Sequence, residues 1–213
     1  LLDFDLLGGR QFRFRHALVR EVLVQGVPGV ERGRLHVRVA EALEHLGVQP
    51  IASTLAHHWS RAPGSVARQR AAAWSLRAAR EAVAALGFEA AAEHYALALT
   101  APDVDRIAVS IEYGEVLQLA GNPGSARTVL VAAASDAEAT GRPRDLARAA
   151  LALGGGLAGF EVPIQDDDQV ELLRRADNEL TAEDVALRAA LRGRLSLALA
   201  GLGAAGDAVG VGR

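Results

Sequence analysis

Short apolar runs at helical spacing, separated by Gly and Pro, are the feature of this 213-residue sequence that most restricts its fold. The runs consist largely of Ala and Leu, and aromatic residues make up only 4% of the chain. Ala and Leu have high helix propensity, whereas Gly and Pro end helices. The pattern therefore predicts a mainly α protein, with helices over residues 30–46, 51–62, 65–86, 88–100, 103–120, 124–139, 143–153, 168–179 and 182–200.

The spacing of apolar residues at the beginning of the chain differs from the helical spacing of the later segments. Over residues 1–15, apolar and polar residues alternate on both sides of Gly8-Gly9, which predicts a short β-hairpin. From His16 the spacing becomes helical and stops at Gly26. We expect a strand pair that leads into a helix, with the helical region following.

The predicted helix over residues 65–86 carries two apolar stripes instead of one. Such a helix is expected to be buried on two sides, as in a stacked helical array, where each helix touches the helices before and after it. The first stripe is Ala72, Leu76, Ala79, Val83 and Leu86, and the second is Ala67, Ala71, Trp74, Ala78 and Ala82.

The next segments are similar to tetratricopeptide repeats. Ala91, Tyr95 and Ala98 have the small-aromatic-small spacing of the second helix of such a repeat. A second unit matches at more positions, namely Tyr113-Gly114, Leu117, Gly121, Ala126, Leu130 and Ala133. The pattern predicts an α-α superhelix of repeats, interrupted by the linker over residues 154–168. A capping box of Thr181 and Asp184 is expected before the final helix, and the residues after Ala200 are expected to be frayed or cut from their continuation.

Composition excludes several classes of function. The sequence has no Cys, and all of its 23 basic residues are Arg, so thiolate metal sites, Cys nucleophiles and the lysine of a Walker A motif are excluded. The net charge of −3 does not favour nucleic acid as a partner. No apolar run approaches the roughly 20 residues of a membrane span. We expect no membrane partner, a cytoplasmic location and, because Met is also absent, a fragment of a larger protein.

Candidate metal and catalytic residues fit structural roles better than chemical ones. His57 and His58 are adjacent and have no further ligand at helical spacing, so a zinc site is disfavoured against helix packing by His58 and Trp59. Asp166 to Asp168 do not have the pattern of a calcium loop. No nucleophile elbow occurs, and Gly154 to Gly156 do not follow a strand, so no catalytic or metal residue is predicted.

One imbalance of charge lies near the start of the chain. Seven arginines face only Glu21 and Glu31 among acidic residues; they are Arg10, Arg13, Arg15, Arg20, Arg32, Arg34 and Arg38. Guanidinium groups recognise carboxylates and phosphates through paired hydrogen bonds. An acidic partner or a nucleotide phosphate is one interpretation of this imbalance, and a solvated arginine face is the other.

The segment from Phe12 to Glu21, FRFRHALVRE, resembles the F-x-F-R-H-x-L-x-R-[DE] signature at the end of the winged-helix part of LuxR-type large ATP-binding transcriptional regulators. These regulators belong to the signal-transduction ATPases with numerous domains. Similar segments follow the ATPase of some nucleotide-cyclase proteins. The resemblance implies the C-terminal part of a winged-helix domain over residues 1–48 and a tetratricopeptide-like region over residues 49–213.

The resemblance also implies a function. The parent protein would bind ATP or ADP in an upstream P-loop ATPase domain, sense an effector or protein partner with the repeats and bind DNA through a downstream helix-turn-helix. His16 aligns with a histidine that contacts the ADP phosphates in related ATPases, although Arg15 and Ala17 replace that motif's Met and Asp. This segment would itself be non-catalytic, would make no direct contact with nucleic acid and would couple nucleotide state to sensing.

Two alternatives stay open. The parent protein would instead be a nucleotide cyclase or a protein kinase that carries the same ATPase and repeat modules. In the other alternative, the repeats form a peptide-binding scaffold that works without nucleotide.

Overall fold

The computed structural model describes residues 2–5, 11–14, 17–45, 52–154 and 167–210, with side chains for residues 17–45, 52–154 and 168–199. The described chain is mainly α-helical, as the sequence predicted. Its helices are α1 Ala17–Gly26, α2 Gly29–His45, α3 Ala52–Arg61, α4 Ser65–Ala84, α5 Phe88–Ala98, α6 Arg106–Leu119, α7 Pro123–Ala139, α8 Pro143–Leu153, α9 Asp167–Glu179 and α10 Val185–Gly210.

The chain divides into two compact units, Leu1–Ala71 and Ala72–Arg213. The division falls inside α4, after its first two turns. The domain boundary near residue 48 that the resemblance implies stays a prediction.

The first unit contains two short strands and the first helices. Strands β1 (Leu2–Asp5) and β2 (Gln11–Phe14) pair antiparallel. Helix α2 packs against α3, and the core between them is small because it consists mostly of alanines with one leucine and one tryptophan. Its fully or almost fully buried members are Ala40, Ala52, Leu55, Ala56 and Trp59.

In the second unit, consecutive helices pack against each other from α5 to α10. Helix α8 also contacts both α6 and α10. The side chains at the repeat-like spacing lie in the core of this unit; they are Ala91, Tyr95, Ala98, Leu117, Ala126, Leu130 and Ala133. Gly121 lies in the α6–α7 turn with a φ of +77°, a conformation that glycine adopts without strain.

The two stripes of α4 are buried or half-buried, as predicted, with one exception. Leu86 is 74% exposed and has a φ of +60°, because α4 ends at Ala84 and Leu86 lies in the turn that follows. The pattern of apolar residues placed Leu86 on the helix, but the helix ends two residues earlier, at Ala84. The prediction for Leu86 was therefore wrong.

The end of the chain also differs from the prediction. Helix α10 does not fray after Ala200 but continues to Gly210, because the Ala and Leu residues between its glycines favour helix. Thr181 and Asp184 do interact, with the Asp184 carboxylate accepting hydrogen bonds from the backbone N–H and the hydroxyl of Thr181. However, α10 begins after Asp184, at Val185, and not at Thr181.

Candidate functional site

A groove of about 550 Å³ in the described part of the second unit bears both acidic and apolar side chains. Three alternate helices, α4, α6 and α8, supply most of its lining, and α5 adds one tyrosine. The lining residues are Val83, Tyr95, Glu112, Glu115, Val116, Leu119, Leu151 and Ala152.

Helix α6 forms the floor of the groove. Its four lining residues, Glu112, Glu115, Val116 and Leu119, have the spacing i, i+3, i+4 and i+7, which places them on one face of a helix. The side-chain amide of Gln118 donates a 2.8 Å hydrogen bond to the carbonyl oxygen of Ala152 in α8. This bond ties the end of α6 to the wall of the groove.

Glu112 is the centre of a polar network at one end of the groove. The guanidinium of Arg80 donates two hydrogen bonds of 3.1 and 3.0 Å to its two carboxylate oxygens. The hydroxyl of Tyr95 donates a third, 2.8 Å long, to Oε2. Tyr95 is almost fully buried, so this bond satisfies a hydroxyl that has little access to water.

Burial and hydrogen bonding have opposite effects on the pKa of Glu112, whereas burial and the bond to Glu112 both raise the pKa of Tyr95. Burial favours the neutral form of Glu112, but the hydrogen bonds from Arg80 and Tyr95 outweigh it, and the pKa of Glu112 is lowered. Burial is the main cause that raises the pKa of Tyr95, and its bond to Glu112 raises it further. Glu112 therefore stays ionised at neutral pH and Tyr95 stays protonated.

Glu115 lies one turn further along the same face and has a different environment. The side chain of Glu115 is exposed at the rim of the groove, and partial desolvation of its carboxyl raises its pKa; the charge of Glu112 adds to the effect, and the charge of Arg148 opposes it. A carboxyl group in this setting gains from contact with a cation. The groove thus combines apolar walls with an acidic group that has free energy to gain from a positively charged partner.

The first unit exposes apolar side chains on α1 and α2. No residue of α1 is buried, although large apolar side chains are normally covered in a folded domain. The exposed side chains are Leu18, Val22, Leu23, Val24, Val30, Leu35 and Val39, and Leu18 and Val30 are each more than 70% exposed. Exposed apolar side chains in such number are typical of a surface that contacts another protein segment.

The structure places only some of the residues singled out in the sequence. His16, the candidate nucleotide contact, lies outside the described residues, as do Asp166 and Gly155 to Gly156. Asp168 is exposed and forms a 3.2 Å ion pair with Arg127. Trp59 is buried at the α2–α3 contact, beside a half-buried His58 and an exposed His57, as the packing interpretation predicted.

His57 and His58 lie close to His36 of α2, with ring centroids 5.0 to 5.9 Å apart. Even so, in the part of the chain that the structure describes, no group of three or more His, Cys, Asp or Glu side chains is arranged to hold a metal ion. The three Nδ1 atoms already have hydrogen-bond partners: Nδ1 of His36 bonds to Nδ1 of His58, and Nδ1 of His57 bonds to Arg61.

Sequence reasoning did not identify the groove residues Arg80, Glu112 and Glu115. The one signal in the sequence was the spacing of Glu112, Glu115, Val116 and Leu119, which mixes acids and apolar residues on a single helix face. Arg80 lies 32 residues before Glu112, so only the packing of the helices brings the pair together.

No protein-family model matches this chain, and a search of curated proteins finds no related sequence. Among the described helices, none combines the length and the apolar character needed to cross a membrane.

Proposed function

We propose that this chain is the non-catalytic middle segment of an ATP-dependent transcriptional regulator, in which helical repeats sense a partner and transmit that state to an ATPase domain. The groove along α4, α6 and α8 is the observation that carries the proposal. Proteins built of helical repeats commonly bind partners on a concave surface made by alternate helices. The proposal includes the tetratricopeptide-like superhelix for residues 49–213.

The first unit supports the other half of the proposal. Its exposed apolar side chains on α1 and α2 fit a winged-helix remnant that packs against an upstream P-loop ATPase domain of the same protein. The resemblance of residues 12–21 to the LuxR-type signature motivates this choice of neighbour. ATP or ADP would bind in that domain, with His16 as a contact to its phosphates.

Coupling between the two halves would be a shift between two conformations. A nucleotide that binds one conformation more tightly favours it, and a partner that binds the groove of the same conformation adds to the shift. Linkage makes the effect reciprocal, because the partner then changes nucleotide affinity by the same factor.

Site-specific crosslinking in the intact parent protein tests this proposal. Leu119 on the groove floor is replaced with a photoreactive benzoylphenylalanine, and Leu197, which is 65% exposed on α10, is replaced in the same way as a control. We expect a discrete partner to be trapped at residue 119 and not at residue 197, in a yield that differs between ATP and ADP. Equal products at both positions contradict a sensing groove, and equal yields with both nucleotides contradict coupling.

A peptide-binding scaffold is the second candidate, favoured by the combination of Glu115 with apolar walls in the groove. Such a scaffold would trap a partner at residue 119 independently of nucleotide.

The cyclase or kinase alternative differs only in the parent protein. A catalytic domain beside this segment would support it, and a downstream helix-turn-helix would support the regulator.

A further inference from the structure

Three histidines and three arginines come together where α2 meets α3 in the first unit. His36 lies on α2, and His57 and His58 lie on α3. Arg61 bonds to Nδ1 of His57, and the charges of Arg20 and Arg32 act on His57 and His36, respectively. This histidine–arginine cluster consists of His36, His57, His58, Arg20, Arg32 and Arg61, and neither the groove nor the proposed coupling uses it.

The hydrogen bonds of the cluster restrict where its protons lie. Arg61 donates a 2.9 Å hydrogen bond to Nδ1 of His57, so this nitrogen holds a lone pair and Nε2 carries the proton. The Nδ1 atoms of His36 and His58 are 2.9 Å apart, so one of them donates and the other accepts. The acceptor ring must likewise carry its proton on Nε2. The three rings therefore accept at most one additional proton without breaking a bond.

The electrostatic environment of the cluster is cationic. Burial is the largest cause that lowers the pKa of each histidine, and the charges of the three arginines and of neighbouring histidines lower it further. Residues 17–71 contain seven Arg and only four Glu. Among these described residues, Glu31 pairs with Arg34, Glu44 bonds to Trp59 and Arg70, and Glu21 accepts from Gln25. The fourth, Glu41, is exposed on α2.

This arrangement is unfavourable for a cation and favourable for an anion. Three guanidinium groups repel a metal ion, whereas guanidinium and imidazole N–H groups are the donors that bind the oxygens of a doubly charged oxyanion. We propose that the histidine–arginine cluster binds a phosphate-type oxyanion, either free phosphate or a phosphate monoester, and that binding takes up a proton on the histidines. The bound anion supplies the negative charge that the cluster lacks.

Proton uptake follows from the same electrostatics. An anion beside an imidazole favours the charged form, so its binding raises the histidine pKa. If binding raises one pKa by about one unit, affinity is about tenfold higher below the free pKa than above the bound one. Sulfate separates this effect from titration of the ligand, because it is a dianion over the whole range in which histidine titrates.

The test is titration of sulfate into the full chain at about pH 5.5 and about pH 8 and at constant ionic strength, on either side of the ordinary histidine pKa. We expect saturable binding to one site, tighter at the lower pH by up to about tenfold. The double variant His36→Gln/His58→Gln should abolish this pH dependence, and Arg61→Gln should weaken binding at both values. Arg68→Gln, an exposed arginine on α4, is the matched control and should leave affinity unchanged.

A measurement on the unaltered chain tests the proposal even if the variants fail to fold. Sulfate should raise the pKa of the cluster histidines, as measured by NMR of the imidazole signals. The signals of His94 on α5 should not respond to sulfate. Inorganic phosphate and glycerol 3-phosphate then distinguish the source, because the tighter of the two identifies the natural form of the ligand. Absence of saturable binding, or a shift of His94 as large as that of the cluster, overturns the proposal.

Discussion

A Cβ atom added to Gly114 in α6 would lie only 2.5 Å from Cγ of Leu130 in α7. Real Cβ atoms are essentially never that close to another heavy atom, so the two helices pack at a distance that glycine permits and alanine does not. Gly114 and Leu130 are both buried. Because α6 also carries the floor of the groove, this contact helps to set where Glu112 and Glu115 lie.

Gly114→Ala should destabilise the protein. Alanine gains about 1 kcal/mol in helix propensity, but forcing a methyl group into a filled core costs about 1–3 kcal/mol. We expect a net loss of about 1 kcal/mol in the free energy of unfolding, measured by urea denaturation. Gly193→Ala in α10 is the control, since an added Cβ meets nothing within 4 Å there. A gain in stability at both positions would contradict the close contact.

The core around Gly114 was largely predictable from the sequence. The spacing of Ala91, Tyr95 and Ala98, and of the residues from Leu117 to Ala133, selected side chains that are buried. Periodicity succeeds there because a helix has one geometry and buries whichever face is apolar. Helix ends were less predictable, as Leu86 and α10 demonstrate, because termination depends on local turn conformation more than on composition.

Trp59, Glu44 and Arg70 form a polar cluster in the first unit. The buried indole of Trp59 donates a 2.9 Å hydrogen bond to one carboxylate oxygen of Glu44. Arg70 binds the other oxygen at 2.9 Å and also lies over the indole ring, 4.7 Å from its centroid. Glu44 therefore satisfies an indole N–H that has little access to water.

Glu44→Ala should destabilise the first unit by about 1–3 kcal/mol, because it leaves a buried donor without its acceptor. The tryptophan emission should change as well, since the surroundings of the Trp59 ring lose a charge. Glu41→Ala, on an exposed position of the same helix, is the control. If both variants unfold at the same denaturant concentration as the unaltered chain, the bond from Trp59 does not contribute.

These polar contacts were not predictable from the sequence. Glu44 and Arg70 are 26 residues apart, and Arg80 and Glu112 are 32 apart. No local pattern links such residues, because each pair forms only after its helices have packed. The arginine excess near the start of the chain was visible in the sequence, but the convergence of Arg20, Arg32 and Arg61 on three histidines required the structure.

Glu115→Gln should stabilise the protein at neutral pH. The pKa of Glu115 is raised above its ordinary value of 4.5 by desolvation. The folded state therefore favours the protonated form, and the stability from this group is present below pH 4.5 and lost as pH rises through the folded pKa. Glutamine carries no charge and therefore avoids the desolvation cost of the Glu115 carboxylate.

The difference between the Glu115→Gln variant and the unaltered chain should therefore disappear in acid. Thermal unfolding between about pH 3.5 and pH 7 measures it, with Glu93→Gln on an exposed part of α5 as the control. A variant that is less stable than the unaltered chain at pH 7 would show that Glu115 has a stabilising partner in the folded state.

Asp105 joins the starts of two helices. Its side chain accepts a 3.2 Å hydrogen bond from the backbone N–H of Ala108 and so caps α6. Arg142, at the N-cap of α8, donates two hydrogen bonds of 2.7 Å to the same carboxylate. The bonds from Arg142 are the main cause that lowers the pKa of Asp105.

Substitutions at Asp105 should separate capping from charge pairing. Asparagine caps helices as well as aspartate does, so Asp105→Asn loses only the partly exposed ion pair, which contributes about 0.5 kcal/mol. Asp105→Ala also loses the cap, which costs about 1 kcal/mol more. Because the pKa of Asp105 is lowered from 3.8, its ion-pair stability is present above pH 3.8 and lost as pH falls through the folded pKa. The asparagine variant and the unaltered chain should thus converge in stability in strong acid, while the alanine variant stays less stable than both. Urea unfolding at neutral and acidic pH measures these differences, and equal losses for both substitutions at neutral pH would mean that the carboxylate does not cap α6.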